Sequence, residues 1–267
     1  MRQSISFYNK DNQRLTGHLH TPKNFNTAII ILHGSFVHCD HPGIRSLAHI
    51  LSAMDYLVLR FNFRGVHTSE GSNKDILLSK HAEDVRAAVD FLESQYEIDQ
   101  LILLGHSSGA VVAALYADQD PRIDKVILLS GTARLKDIAN VRFSKKQIDD
   151  FITRGYITYH APGTWYHRRK LSKQFYDELL HLDVKEHLQH YYKPVLIVYG
   201  SEDEIIPASH AEELYQAAKG PKRLVMIEGA NHRFSNLADS INVIREIRKF
   251  SNMMWKTANK SVKQWTK

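Results

Sequence analysis

Apolar runs of six to eight residues recur along this chain, and segments with helical spacing separate them. The runs are TAIIILHG, YLVLRFNF, QLILLG, KVILLSG, PVLIVYG and RLVMIEG. Strands buried on both faces read as unbroken runs of this kind, and strands separated by helices need crossover connections. The rhythm therefore predicts an α/β fold, a mostly parallel central sheet with helices on both faces. Its helical partners include GIRSLAHILSAM, GAVVAALYAD, SHAEELYQAAK and a last helix around SINVIREIRKF. In SKHAEDVRAAVDFLESQ, Ala82, Val85, Ala88, Val89 and Leu92 share one helical face. SISFY and LTGHLHT, joined by NKDNQ, predict an opening antiparallel hairpin.

The rhythm breaks once. From Leu135 to Tyr192 no clear strand is visible, only helix-like pieces rich in charge and aromatic residues. That length is too great for a plain loop, so the segment is expected to hold its own helices. The expected organisation is a core of residues 1–134 and 193–267, with 135–192 inserted between two core strands. Its aromatic residues suit two roles: walls of an apolar pocket, or rings that hold a small subdomain on the core. Tyr159 and Trp165, beside the HAPGTW turn, are the candidates for substrate contact.

Composition excludes several classes of function. The formal net charge is +6, but Lys249 to Lys267 carries five lysines and no acid. The rest of the chain is near neutral, so no basic nucleic-acid face is expected. That tail also holds Trp255 and Trp265, a combination able to touch a membrane surface or a partner, though a solvated helix end explains it as well. No apolar run reaches the ~18 residues of a membrane span, and MRQSISFYNKDNQ lacks the apolar stretch of a secretory leader. No stable membrane insertion is expected. One cysteine, Cys39, rules out an internal disulfide framework and suits a reducing cytoplasm.

The reactive candidates lie where strands end. Gly105-His106-Ser107-Ser108-Gly109 fits G-x-S-x-G between a strand and a helix. Only Ser107 is central in that frame; the glycines remove Cβ atoms that would collide as strand folds back into helix. A serine hydroxyl needs a base in reach, an acid to orient the base, and donors for the developing oxyanion. Asp203 follows the strand PVLIVYG, where open α/β sheets place their sites, and Glu202 and Glu204 compete with it. His232 leaves the last strand behind Gly229, and that position selects it among 16 histidines. HGSFVHCDH gathers His33, His38, Cys39, Asp40 and His41 at spacings that match no standard zinc pattern, so no metal site is expected.

Taken jointly, LHGS, FNFRGVHTSEG, GHSSG, GSEDEIIP and GANHRF resemble the α/β-hydrolases. The branch is that of serine esterases and serine aminopeptidase-like proteins with a cap insertion, such as cinnamoyl and feruloyl esterases. The resemblance implies a helical cap inserted before the acid-bearing strand. It implies Ser107, Asp203 and His232 as catalytic residues, and it selects Asp203 as the aspartate two residues before the paired isoleucines. It also implies an oxyanion hole of two backbone N–H groups, that of Ser108 and that of Ser35, with Phe36 as the alternative to Ser35. His67 stands where the family's RG-x-G-x-S-x-G loop carries glycine, and Arg64 and Ser69 are expected to brace that loop.

The implied activity is cleavage of a small-molecule carboxylic ester through an acyl-enzyme, with apolar or aromatic acyl groups and no cofactor. A thioesterase or small-peptide hydrolase would share the acyl-enzyme, but the near-neutral body offers no strongly basic patch for coenzyme A. A non-catalytic binder of small molecules is expected to have lost part of the Ser107, Asp203 and His232 set, and here the set is whole.

Overall fold

The chain opens with an antiparallel hairpin of β1 (Arg2–Tyr8) and β2 (Arg14–His20). There follow β3 (Thr27–Leu32), α1 (Pro42–Ser52), β4 (Tyr56–Asn62), α2 (Leu78–Glu93), β5 (Gln100–His106), α3 (Ser108–Ala117) and β6 (Lys125–Leu129). Next comes a segment of α4 (Leu135–Arg142), α5 (Lys145–Arg154), β7 (Tyr156–Tyr159), β8 (Arg169–Ser172), α6 (Lys173–His181) and α7 (Val184–His190). The chain then completes its main sheet with β9 (Val195–Gly200), α8 (Ala208–Ala217), β10 (Lys222–Ile227) and α9 (Leu237–Asn252). The computed structural model describes residues 1–162 and 164–254, so Trp255 and Trp265 lie outside the described residues.

Eight strands form one sheet in the order β1-β2-β4-β3-β5-β6-β9-β10. The hairpin meets β4 antiparallel, and every later pairing in this sheet is parallel. Side-chain alternation explains why the runs are apolar throughout. Ala28, Ile30 and Leu32 pack in one cluster with Val85 and Val89 of α2 and with the buried face of α3. Ile29 and Ile31 pack on the opposite face with Ile44 and Leu51 of α1 and Ile247 and Phe250 of α9. Burying one such side chain contributes about 1.5–3 kcal/mol. The chain moves outward from β3 to β4 and then returns to the other side of β3 for β5. This reversal leaves a crevice at the carboxyl ends of β3 and β5, where ligands of such sheets bind.

The segment between β6 and β9 departs from the helical expectation. It contains four helices and an antiparallel two-stranded sheet, β7 with β8. The strands are YITY and RKLS, four residues each, too short for alternation to show. Gly155, at φ 77, ends α5 in a left-handed cap and turns the chain directly into β7. Phe143, Phe151 and Tyr176 form a ring cluster with centroids 5.0–6.0 Å apart. They are buried, as are Tyr166, Phe175 and Tyr191, and all belong to the same apolar cluster as α2 and α3. Most rings of the segment therefore hold it on the body. Glu178 of α6 adds a polar tie: its carboxylate accepts the Leu78 N–H at 2.6 Å and the Ser79 N–H at 3.3 Å at the start of α2. No helix among the described residues is long and apolar enough to cross a membrane.

Candidate active site

Ser107 joins β5 to α3 with φ 56 and ψ −121, a conformation a non-glycine residue adopts only under constraint. The constraint is visible in its neighbours. A Cβ on Gly105 would lie 2.1 Å from the Gly109 carbonyl oxygen, and one on Gly109 would lie 2.1 Å from that of Leu32. Only glycine permits both approaches. The Ser107 N–H donates to the Leu129 carbonyl at 2.9 Å, which ties the turn to β6.

Asp203 and His232 come together from the loops after β9 and β10. The His232 Nδ1–H faces both Asp203 carboxylate oxygens at 2.9 Å, with both side chains buried. Burial alone would raise the Asp203 pKa. The His232 bond and the N–H groups of Ile206 and Ile205, at 2.8 and 3.0 Å, outweigh it and hold the carboxyl below its ordinary value. Glu204 takes a different part, its carboxylate accepting the His232 backbone N–H at 3.1 Å. Glu202 is exposed and makes no bond to the histidine among the described residues.

His106 links this pair to the serine turn. Its Nε2 donates to the His232 carbonyl at 2.9 Å, and the two rings lie 5.1 Å apart. Burial, with the nearby His232 ring second, pushes the His106 pKa down to about 4, so the His106 ring is neutral. Ser107 Oγ makes no hydrogen bond to His232 among the described residues; such bonds commonly tighten only when substrate is bound.

The loop after β3 closes the other side. A Cβ on Gly34 would stand 3.2 Å from both the His106 carbonyl and the Ser107 Cβ, so this loop packs on the turn itself. Ser35 Oγ donates to Ser108 Oγ at 2.9 Å. Ser108 is the first residue of α3, so its N–H has no carbonyl one turn back. The N–H groups of Ser35 and Phe36 donate to no backbone carbonyl among the described residues. Phe36 has φ 65. Beneath it His33 is fully buried; its Nδ1 donates to the Gly34 carbonyl at 2.9 Å, and burial pushes its pKa down to about 4.

Arg64 and Ser69 brace the loop after β4, as expected. The Arg64 side chain is buried and binds Asp84 through Nε at 2.8 Å and Asp11 through Nη1 at 2.5 Å. Ser69 Oγ donates to the Asn62 carbonyl at 2.7 Å and accepts the Thr16 N–H at 2.9 Å. His67, in the glycine position of the resembled loop, indeed has φ 50. Its ring stacks on His38 at 4.3 Å and meets the edge of Trp165 at 6.5 Å.

The histidine-rich stretch after β3 divides. Cys39 and Asp40 converge with His18, their ligand atoms lying within 4.8 Å of one another. Asp40 is already held by Arg60 at 2.6 Å and His18 at 3.0 Å, and burial pushes the Cys39 thiol up to about 12. A cation there would face the buried Arg60 guanidinium and a protonated thiol, so the donor set does not fit a metal.

Trp165 lines a cavity of about 20 Å³ together with Ser35, Phe36, Ser108, Tyr166 and Phe175. That is room for about one water. Tyr159 is outside this lining but stacks on Phe36 at 4.5 Å, and Tyr166 meets Phe36 edge-on at 4.7 Å. A larger groove of about 810 Å³ between β1, α2 and α3 shares no lining residue with this cavity or with the Ser107 turn. Sequence reading weighed Glu204 only as a rival acid and missed His106 and Arg142 as neighbours of the site. His106 was visible as the immediate neighbour of Ser107; Arg142, on the Phe36 ring, left no local signal.

Comparisons with known proteins bear on the family and the fold. The family model described as "Serine aminopeptidase, S33" matches residues 23–178. The structure of Est1E from Butyrivibrio proteoclasticus with bound ferulic acid superposes with a TM-score of 0.78 at 25% identity, covering 92% of this chain and 98% of that one. An uncharacterised protein of Mycobacterium tuberculosis is 29% identical over 90% of this chain and 76% of its own length. Monoglyceride lipase of Mus musculus is 24% identical over 79% of this chain and 76% of its own.

Proposed function

Because the chain belongs to the serine aminopeptidase family of the α/β-hydrolase superfamily, we propose that this serine hydrolase cleaves carboxylic esters through an acyl-enzyme formed on Ser107. The reading is carried by one observation: Asp203 and His232 are joined at 2.9 Å beside a serine held at φ 56. With Nδ1–H given to Asp203, His232 has Nε2 as the ring atom that takes up a proton.

Ser107 Oγ attacks the ester carbonyl carbon, and its proton passes to His232 Nε2. The ionised Asp203 stabilises the resulting imidazolium. The N–H groups of Ser108 and Ser35 receive the oxyanion, and the α3 N-terminus adds a favourable field. The carbon–oxygen bond to the alcohol breaks as Nε2 returns its proton to the leaving oxygen. A water then gives a proton to Nε2 and attacks the acyl carbon, and the bond to Ser107 Oγ breaks as Nε2 returns that proton to Oγ, which releases the acid. The route uses no cofactor.

Residues 135–192 act as a cap on a core of 1–134 and 193–267. Trp165 and Tyr159 wall the acyl side of a small-molecule substrate. The bound ferulic acid of Est1E supports an aromatic acyl group. The lone, buried Cys39 suits a reducing cytoplasm. The test is a serine-directed fluorophosphonate together with p-nitrophenyl ester turnover. Wild type is labelled and active; Ser107→Ala is folded by circular dichroism, unlabelled, and slower by about 10⁴-fold or more. Equal activity in the two proteins would sink the proposal.

A further inference from the structure

Arg142 ends α4 and lays its guanidinium on Phe36, with Cζ 3.8 Å from the ring centroid. Phe36 directly follows Ser35 in the loop that meets the Ser107 turn. The cation is poorly compensated. Its Nη2 donates to the Tyr159 hydroxyl at 3.1 Å, while its Nε is buried with no hydrogen-bond partner. Among the described residues no carboxylate pairs with this half-buried side chain, whereas the two arginines whose side chains are fully buried, Arg60 and Arg64, each hold at least one aspartate. Burial pushes the guanidinium down from its ordinary range, opposed only by the hydroxyls of Tyr159 and Tyr166.

A desolvated cation that finds only rings and a phenol inside the protein is positioned for an anion from outside it. The planar fork of donors on arginine matches a carboxylate in particular. We propose that Arg142 is a specificity-determining residue for a carboxylate carried by the ester substrate itself. The proposal rests on the hydrolase reading for the reaction, but not for the contact: the substrate carboxylate binds Arg142 whether or not Ser107 turns the ester over. It also explains why an uncompensated cation stands beside an otherwise aromatic pocket wall.

The test is calorimetric binding to the Ser107→Ala protein, which removes turnover from the measurement. Two matched pairs are used. Monomethyl glutarate against methyl 5-oxohexanoate places the charge on the acyl side. Acetoxyacetate against acetoxyacetone places it on the alcohol side. At least one anion should bind tenfold or more tightly than its neutral partner, and the pair that responds names the side. Adding Arg142→Gln should bring that ratio to within twofold, and Arg142→Lys should restore part of it. Because each ratio is taken within one protein, loss of a fraction of folded material does not alter it. Equal affinities in both pairs, or a preference that survives Arg142→Gln, overturns the proposal and leaves Arg142 as a stacking partner of Phe36. Absence of turnover by wild type would count against the hydrolase reading alone.

Discussion

Two regions meet at this cleft and are built by different physics. The turn around Ser107 and the loops after β3, β9 and β10 are fixed by backbone: close carbonyl approaches, a left-handed serine and N–H groups that hold carboxylates. The segment between β6 and β9 reaches the same cleft through side chains alone, with Tyr159, Tyr166 and Arg142 gathered on Phe36. A backbone-built site tolerates few substitutions, because a 2.1 Å approach leaves no room for a Cβ. A side-chain-built wall can change residue by residue without moving the turn beneath it. The first region carries the proposed chemistry, and the second carries the proposed choice of substrate.

The comparison breaks most sharply at Asp203. Asp203→Asn keeps the shape of the loop but loses the charge that fixes the His232 tautomer, and is expected to lower kcat by about 10⁴-fold. Glu204→Gln retains an oxygen for the His232 backbone N–H and should cost less than about tenfold. Steady-state rates of the two variants on one p-nitrophenyl ester decide the matter. The reverse ranking would mean that the acid has been assigned to the wrong neighbour.

These two kinds of construction also decide what could be read in advance. Ser107 was legible because backbone demands leave glycines at 105 and 109, and the parallel sheet was legible because both faces of β3 to β6 are apolar. Asp203 emerged from its two acidic neighbours only through resemblance; in the structure it alone faces the imidazole. The β7–β8 hairpin was illegible because four-residue strands carry no usable period. Arg142 was illegible for a different reason. Its hydroxyl partner Tyr159 lies 17 residues on, beyond any helical spacing, and no spacing rule connects a helix end to Phe36, in a loop more than a hundred residues earlier.

Acid should separate the two regions next. His33 and His81 are buried on either side of Phe63, with ring centroids 4.7 and 4.4 Å from it. Burial pushes their pKa values down to about 4 and about 3 from 6.5. The unfolded chain therefore takes up protons below pH 6.5 that the native chain refuses, so stability falls as pH drops through that window and levels off below the native values. At about 1.4 kcal/mol per pKa unit, His33 alone withdraws about 3 kcal/mol between pH 6.5 and 4. Urea denaturation from pH 7 to 4 should show this loss, with a shallower slope in His33→Gln. Hydrogen exchange at low pH should open the loop after β3 before β7 and β8. An unchanged slope in the variant would remove the loop as the source of acid lability.

The smallest expected effect tests the side-chain wall itself. Tyr159→Phe keeps the ring that stacks on Phe36 but removes the hydroxyl that accepts from Arg142 at 3.1 Å. The guanidinium then has lost its one hydrogen bond among the described residues while remaining half-buried. The net cost of such a bond is about 1 kcal/mol, and leaving a charged donor unpaired pushes it toward the upper end of about 1–3 kcal/mol. Thermal denaturation of the variant reads this loss directly. A carboxylate ester should restore more stability to Tyr159→Phe than to wild type, because the freed Nη2 becomes one more donor for the ligand. If the variant is as stable as wild type and gains nothing extra from the anion, ring stacking alone holds the wall together.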